Sequence, residues 1–290
     1  NRFKYMIKMF KDNIPFSSPL SSNIAVLGVG YVGLPIAFSF AISKYCSRTK
    51  KKTNHKVIAY DKNNKRIEEL KNNIDKTKEL SNKDLKDLNK INFTHNINDL
   101  YNADIFIITV PTPIDSNNNP DLTPLSSACN TIAEILNSRK NKAYFSPIII
   151  LESTVFPGAT EEFCVPIIED KSNLKYNRDF FMGYSPERIN PGDKNKRLKD
   201  IVKVTSGSNH ETGQWVDAFY GSIIDAGTHL ASSIKVAEAA KVIENTQRDI
   251  NIALINELSI IFKKLNIDTL DVLSAASTKW NFLPFKPGLV

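Results

Sequence analysis

The stretch Asn23–Phe40, NIAVLGVGYVGLPIAFSF, decides how this chain is read. It opens on a short apolar run, Ile24-Ala25-Val26-Leu27, of the length of one buried parallel strand. Gly28, Gly30 and Gly33 follow as G-x-G-x-x-G, and apolar residues then recur on a helical period through Ile36, Ala37 and Phe40. Each glycine has its own task. Gly28 makes a tight turn, Gly30 lets a pyrophosphate approach the backbone, and Gly33 lets the helix lie close against the strand. The helix start then offers N–H groups and a positive dipole end to phosphate. Alone, such glycine spacing is a weak signal. Between a strand pattern and a helix pattern it stands in the context that a dinucleotide site requires.

Downstream, the strand Val57–Tyr60 ends in Asp61. An acid at this tip accepts hydrogen bonds from ribose hydroxyls and favours NAD over NADP. The competing reading is an N-cap for the helix that begins at NNKRIEEL; the glycines upstream favour the ribose. The gap from the glycines to Asp61 exceeds the usual ~20 residues, and the basic insertion KYCSRTKKKTNHK accounts for the excess. Residues 63–98 read as helical patterns broken by Asn- and Lys-rich turns. Ile105–Val110 is a further buried strand, running into Val110-Pro111-Thr112-Pro113, and Thr123-Pro124 starts a helix through Leu136. Ile148–Leu151 precedes Glu152-Ser153-Thr154-Val155-Phe156-Pro157-Gly158. More strands are expected at Phe180–Tyr184 and Ile201–Thr205, with the loop SPERINPGD between them. This alternation predicts an α/β fold with a Rossmann-type doubly wound parallel sheet. Ser232–Leu265 contains neither Gly nor Pro and reads as one long central helix, apolar on most sides of its second half and therefore buried, either between domains or against another subunit. Asp268 caps a short helix through Ala276. The expected organisation is an irregular extension (1–22), a dinucleotide-binding domain (23–225) and a helical, dimerising segment (226–290).

Upstream of the fingerprint, the N-terminal segment lacks the apolar core of a signal peptide, and no apolar run approaches ~18 residues. The net charge of +7 comes from scattered lysines, with one cluster at Lys50-Lys51-Lys52. That balance suits anionic small molecules better than a nucleic-acid groove. Cys46, Cys129 and Cys164 show no C-x-x-C spacing, which fits a reducing cytoplasm; no metal site is expected.

Several polar residues exceed what a sheet needs. Thr154 follows an apolar strand, as does Glu187 in Tyr-Ser-Pro-Glu-Arg. Lys241 and Asn245 lie four apart on the long helix and share a face, with Arg248 near it. A lysine beside an amide stabilises a developing oxyanion by charge and hydrogen bonding. The plainer readings are a solvated helix face for Lys241 and Asn245, a pair with Arg188 or Arg197 for Glu187, and a local turn for Thr154.

With these residues in place, the chain resembles the nucleotide-sugar 6-dehydrogenases, the UDP-glucose/GDP-mannose dehydrogenase family. The matching motifs are GVGYVGLP (28–35), VPTP (110–113), ESTVFPGAT (152–160), SPERINPGD (185–193), VAEAAKVIENTQRDINIALINE (236–257) and STKWNFLPFKPG (277–288). They follow the family's order, and the branch acting on UDP-N-acetylhexosamines is the most similar. The resemblance implies oxidation of the sugar C6 alcohol to a carboxylate in two hydride transfers to NAD, through a cysteine thioester. It places Gly28, Val29, Gly30, Tyr31, Val32, Gly33, Asp61, Arg66, Val110, Pro111, Thr112, Ser153, Thr154 and Val155 at NAD. It gives Lys241 and Asn245 the oxyanion, Thr154 a water and Glu187 the base chemistry. It puts Arg188, Ile189, Asn190 and Arg248 near the sugar, and Lys279, Phe282 and Lys286 near the UDP portion. The family's cysteine follows a G-G-x-C pattern that this sequence does not reach before Val290, so a fragment unable to complete the oxidation is expected. UDP-glucose itself as substrate, and a non-catalytic dinucleotide-binding module, are the alternatives. A UDP-sugar, a homodimer through the long helix and a cytoplasmic setting are the expected context, without nucleic acid or membrane.

Overall fold

The apolar runs become strands whose residues alternate between two faces, each covered by helices. The computed structural model describes residues 15–139, 145–189 and 197–289. Strands β1 (Asn23–Leu27), β2 (Lys56–Tyr60), β3 (Ile91–Thr94), β4 (Ile105–Ile108), β5 (Ile148–Leu151), β6 (Phe181–Tyr184), β7 (Lys203–Gly207) and β8 (Thr228–Leu230) form one sheet in the order β3-β2-β1-β4-β5-β6-β7-β8. The pairs from β3 through β6 are parallel, β6–β7 is antiparallel, and β7–β8 is parallel again. In the connection from β6 to β7 the described residues hold only the short turn of helix Leu198–Asp200. A parallel return would need a crossover, usually a full helix. That is where the parallel run from β3 to β6 stops.

Helices α1 (Gly33–Ile42), α2 (Asn64–Lys71), α3 (Thr123–Ser138), α4 (Val165–Ser172) and α5 (His210–Tyr220) flank the sheet. Ile24 and Val26 face the layer that holds Leu34, Ile36 and Phe40 of α1 and Trp215 and Phe219 of α5. Ala25 and Leu27 face α3 and α4, against Cys129, Ile132 and Ile168. Phe40 stacks on Phe219 at 4.3 Å between centroids, and Phe219 on Trp215 at 5.0 Å. Every residue of β4 and β5 is buried. Each such apolar side chain contributes roughly 1.5–3 kcal/mol by leaving water. Three elements escaped the sequence patterns. β3 alternates apolar and polar at a sheet edge, β8 has three residues, and α5 mixes polar with aromatic positions.

Two compact units are present, Asn1–Glu238 and Ala239–Val290. Helix α6 (Ile234–Lys264) is uninterrupted, and α7 (Thr269–Ala276) is capped by Asp268, whose carboxylate accepts from the Asp271 amide at 3.0 Å. Within this chain the second half of α6 leaves apolar side chains exposed. Ile255 is buried, but Ile243, Ile250, Leu254 and Ile261 are exposed. Their spacing of seven, four and seven residues puts them on one side of the helix. No described helix is long and apolar enough to cross a membrane.

Candidate functional site

Register sets the site. Tyr60, Leu27, Ile108, Leu151 and Tyr184 are lateral partners in a single row across five parallel strands. One residue past that row the chain reaches Asp61, Gly28, Thr109, Glu152 and Ser185 in spatial order. The polar residues picked out in the first unit therefore gather along the carboxyl edge of the sheet, where ligands bind in open α/β folds.

At one end of this edge the turn after β1 is built for close approach. Gly28 has φ +94, a left-handed conformation that disfavours any side chain. A Cβ on Gly33 would collide with the Gly28 carbonyl oxygen, whereas at Gly30 it would meet nothing within 4 Å. Helix α1 has no side-chain cap and no acid in its first turn. Asp61 accepts from the Val29 amide at 2.9 Å and the Asn63 amide at 2.9 Å. Asn63, not Asp61, caps α2, taking the Arg66 amide at 3.3 Å, so the capping alternative for Asp61 falls away. Arg66 donates to the Val29 carbonyl at 3.0 Å, to Asp75 at 2.9 Å and to Thr77 at 3.2 Å. Its remaining terminal nitrogen is buried without a partner among the described residues. Burial pushes the Asp75 carboxyl up, but hydrogen bonds from Thr77 and Arg66 outweigh that and hold it below its ordinary value. Neither Asp75 nor Thr77 was legible as a site residue; the only signal is a short Asp-x-Thr turn nine residues past an arginine. Gly30, Asp61 and Arg66 line one hollow, and Leu27, Tyr60, Val110 and Ala128 line an adjoining apolar slot that shares Asp61. An uncapped helix start, a glycine turn, an acid and a half-satisfied guanidinium fit a dinucleotide. The slot suits its flat ring and the helix start its phosphates. Tyr31 and Val32 stand beside the turn, Tyr31 half exposed.

Along the edge, the Ser153 hydroxyl donates to the Val110 carbonyl at 2.6 Å and the Thr112 hydroxyl to the Thr154 carbonyl at 2.7 Å. These bonds tie the VPTP turn, Pro111 included, to the loop of Thr154 and Val155; Thr154 is exposed and Val155 buried. After β6, Glu187 is buried; one of its oxygens accepts from the Ile189 amide and the other, Oε2, has no partner among the described residues. The two proposed arginine partners are engaged elsewhere, Arg188 with the Val202 carbonyl at 2.7 Å and Arg197 with Asp84 at 3.1 Å. Beneath Glu187 lies a buried cluster that the sequence patterns missed. Lys203 donates to Glu152, Tyr220 donates to the other Glu152 oxygen, and the Lys203 Nζ sits 5.0 Å from the Tyr220 ring centre. Burial and the neighbouring Glu187 push the Glu152 carboxyl above its ordinary value, with Lys203 opposing.

Asn190 lies outside the described residues. Lys241, Asn245, Arg248, Lys279, Phe282 and Lys286 belong to the second unit. Lys241 and Asn245 are partly buried, one turn apart on α6, and Arg248 donates to the Asn245 side chain at 3.2 Å. The KPG segment with Lys286 is fastened to α6 by a reciprocal pair of hydrogen bonds, each 2.9 Å, between the Asn256 amide side chain and the Gly288 backbone.

Known proteins share this arrangement. A UDP-N-acetyl-D-glucosamine 6-dehydrogenase of Pseudomonas aeruginosa is 56% identical over 267 residues, which is 92% of this chain and 59% of that protein. Its namesake in Salmonella typhi is 52% identical with the same coverage of both. The solved UDP-D-ManNAc dehydrogenase of Pyrococcus horikoshii superposes with a TM-score of 0.76 at 29% identity, covering 92% of this chain and 60% of that one. The chain thus spans about three fifths of the length of the curated relatives it matches. Residues 22–224 match the family model of the UDP-glucose/GDP-mannose dehydrogenase NAD-binding domain, and residues 235–290 that of its central domain. The chain therefore belongs to the UDP-glucose/GDP-mannose dehydrogenase family, of which it carries the NAD-binding and central domains.

Proposed function

We propose that the protein oxidises the C6 hydroxyl of a UDP-N-acetylhexosamine to the carboxylate. The observation that carries this reading is the identity of more than half of the aligned residues with two UDP-N-acetyl-D-glucosamine 6-dehydrogenases. The polar edge of the sheet supports it. When bound, NAD supplies the hydride acceptor. Gly28, Val29, Gly30, Tyr31, Val32 and Gly33 receive its diphosphate, Asp61 its ribose hydroxyls, and Arg66 offers a charged donor beside the turn. Val110, Pro111, Thr112, Ser153 and Val155 line its further course. Thr154 orients a water, and Glu187, through its unpartnered oxygen, takes and returns a proton during the hydrolytic half of the reaction. Arg188, Ile189 and Asn190 line the sugar, as does Arg248. Lys241 and Asn245 stabilise negative charge developing on the sugar oxygen by charge and hydrogen bonding. Lys279, Phe282 and Lys286 hold the UDP portion. The proposed organisation is a dinucleotide-binding part (23–225) and a helical part (226–290), except that Thr228–Leu230, as β8, belongs with the sheet. The exposed stripe of α6 joins two copies in a homodimer, and the setting is cytoplasmic.

The test is a panel of UDP-sugars offered to the full-length protein with NAD while NADH absorbance is followed. Two NADH per UDP-N-acetylhexosamine, with slower turnover of UDP-glucose, is the expected result. NADH formation restricted to UDP-glucose, or none with any sugar, overturns the assignment.

A further inference from the structure

Lys203 is almost wholly buried, at 2% exposure, and all three of its ammonium protons are spoken for. They go to the Glu152 carboxylate and to the carbonyls of Ser185 and Pro186, each carbonyl at 3.0 Å. Those two carbonyls are the peptide units that lead directly into Glu187. The Glu187 amide, in turn, donates to the Glu152 carbonyl at 3.3 Å. One residue before Lys203, the Val202 carbonyl receives Arg188, so the loop is tied to β7 on both sides of Glu187. A buried ion pair adds little to stability that packed apolar side chains would not. What an apolar residue at this place could not do is hold two carbonyls.

We propose that Lys203 is the positioning residue for Glu187. Its ammonium, neutralised by Glu152, fixes the Ser185-Pro186 backbone and with it the direction in which the Glu187 carboxylate points. Tyr220 keeps Glu152 turned towards the lysine by occupying its other oxygen. The proposal rests on the reading of Glu187 as the proton-transferring acid.

The experiment compares kcat and KM of the full-length protein, with NAD and a UDP-N-acetylhexosamine, across four variants. Glu187→Gln tests the underlying reading and should lose at least a hundredfold in kcat; full activity there removes Glu187 from the chemistry and leaves Lys203 without a task. Lys203→Met should lower kcat by about a hundredfold while KM for NAD stays unchanged, because a misplaced acid slows the reaction without touching the cofactor end. Lys203→Arg, which keeps a charged donor, should recover to within about tenfold of the original kcat. The double variant Lys203→Met/Glu152→Gln removes both charges and should regain the melting temperature lost in Lys203→Met. Its kcat should stay low, since the two carbonyls still lack a donor. If kcat recovers together with melting temperature in the double variant, the cluster serves stability alone and the proposal fails. It fails equally if Lys203→Met keeps its turnover while Glu187→Gln is inactive.

Discussion

His55 and Arg66 show how much one residue decides here. The His55 ring stands edge-on to Phe40 at 5.4 Å and to Phe219 at 5.8 Å, and neither ring nitrogen has a hydrogen-bond partner among the described residues. Burial lowers its pKa from 6.5 to about 4. The fold therefore favours neutral imidazole. The stability this brings is complete above pH 6.5 and is lost as pH falls from there towards 4. By pH 5 the loss amounts to about 2 kcal/mol. Chemical denaturation of wild type and His55→Phe at pH 7.5 and pH 5 checks this, and the variant should lose less stability on acidification. Arg66 makes a second prediction. Its guanidinium ties the glycine turn to Asp75 and keeps one nitrogen without a partner among the described residues. Arg66→Ala should weaken NADH binding tenfold or more, the worth of a charge-assisted hydrogen bond. Fluorescence titration measures it; an unchanged Kd would take Arg66 out of the cofactor site.

At the scale of elements, Glu238 stands out near the start of α6. Its fully buried carboxylate accepts from the Gly158 amide at 2.6 Å, the Thr160 amide at 2.9 Å and the Thr160 hydroxyl at 2.6 Å. It supplies the acceptor that the π-helical turn Ala159–Cys164 lacks at its own beginning. Glu238→Gln puts an NH2 against one of these donors and should cost about 2 kcal/mol in urea unfolding; a loss within error would make the contact dispensable. Legibility in the sequence followed the same lines. Strands buried on both faces, such as Ile105–Ile108, announce themselves because every position must be apolar. The edge strand Ile91–Thr94 does not, because one face meets water. Asp61 stood out as a candidate because a strand tip after a glycine motif leaves few tasks for an acid. Lys203 was not: its partners Glu152, Ser185 and Pro186 are distant in sequence, and only the sheet register brings them together.

Over the whole molecule the decisive surface is the stripe of Ile243, Ile250, Leu254 and Ile261. Apolar side chains in such a row want a partner. On the proposed dimer, the unaltered protein should sediment as a dimer and the double variant Ile250→Asp/Leu254→Asp as a monomer with an unchanged far-UV spectrum; a monomeric unaltered protein removes the dimer, and a dimeric variant moves the interface elsewhere. The single lateral row that ends five parallel strands has a consequence of another kind. Because each loop leaves from the same level of a rigid sheet, the loop after β6 can be exchanged so long as the donor keeps the amide that meets the Glu152 carbonyl and the two carbonyls that meet Lys203. A chimera that takes residues 185–202 from a relative with a different sugar preference should inherit that preference and keep its affinity for NADH. Sugar choice would then travel with one segment, while Lys203, just outside the graft, anchors whichever segment is installed.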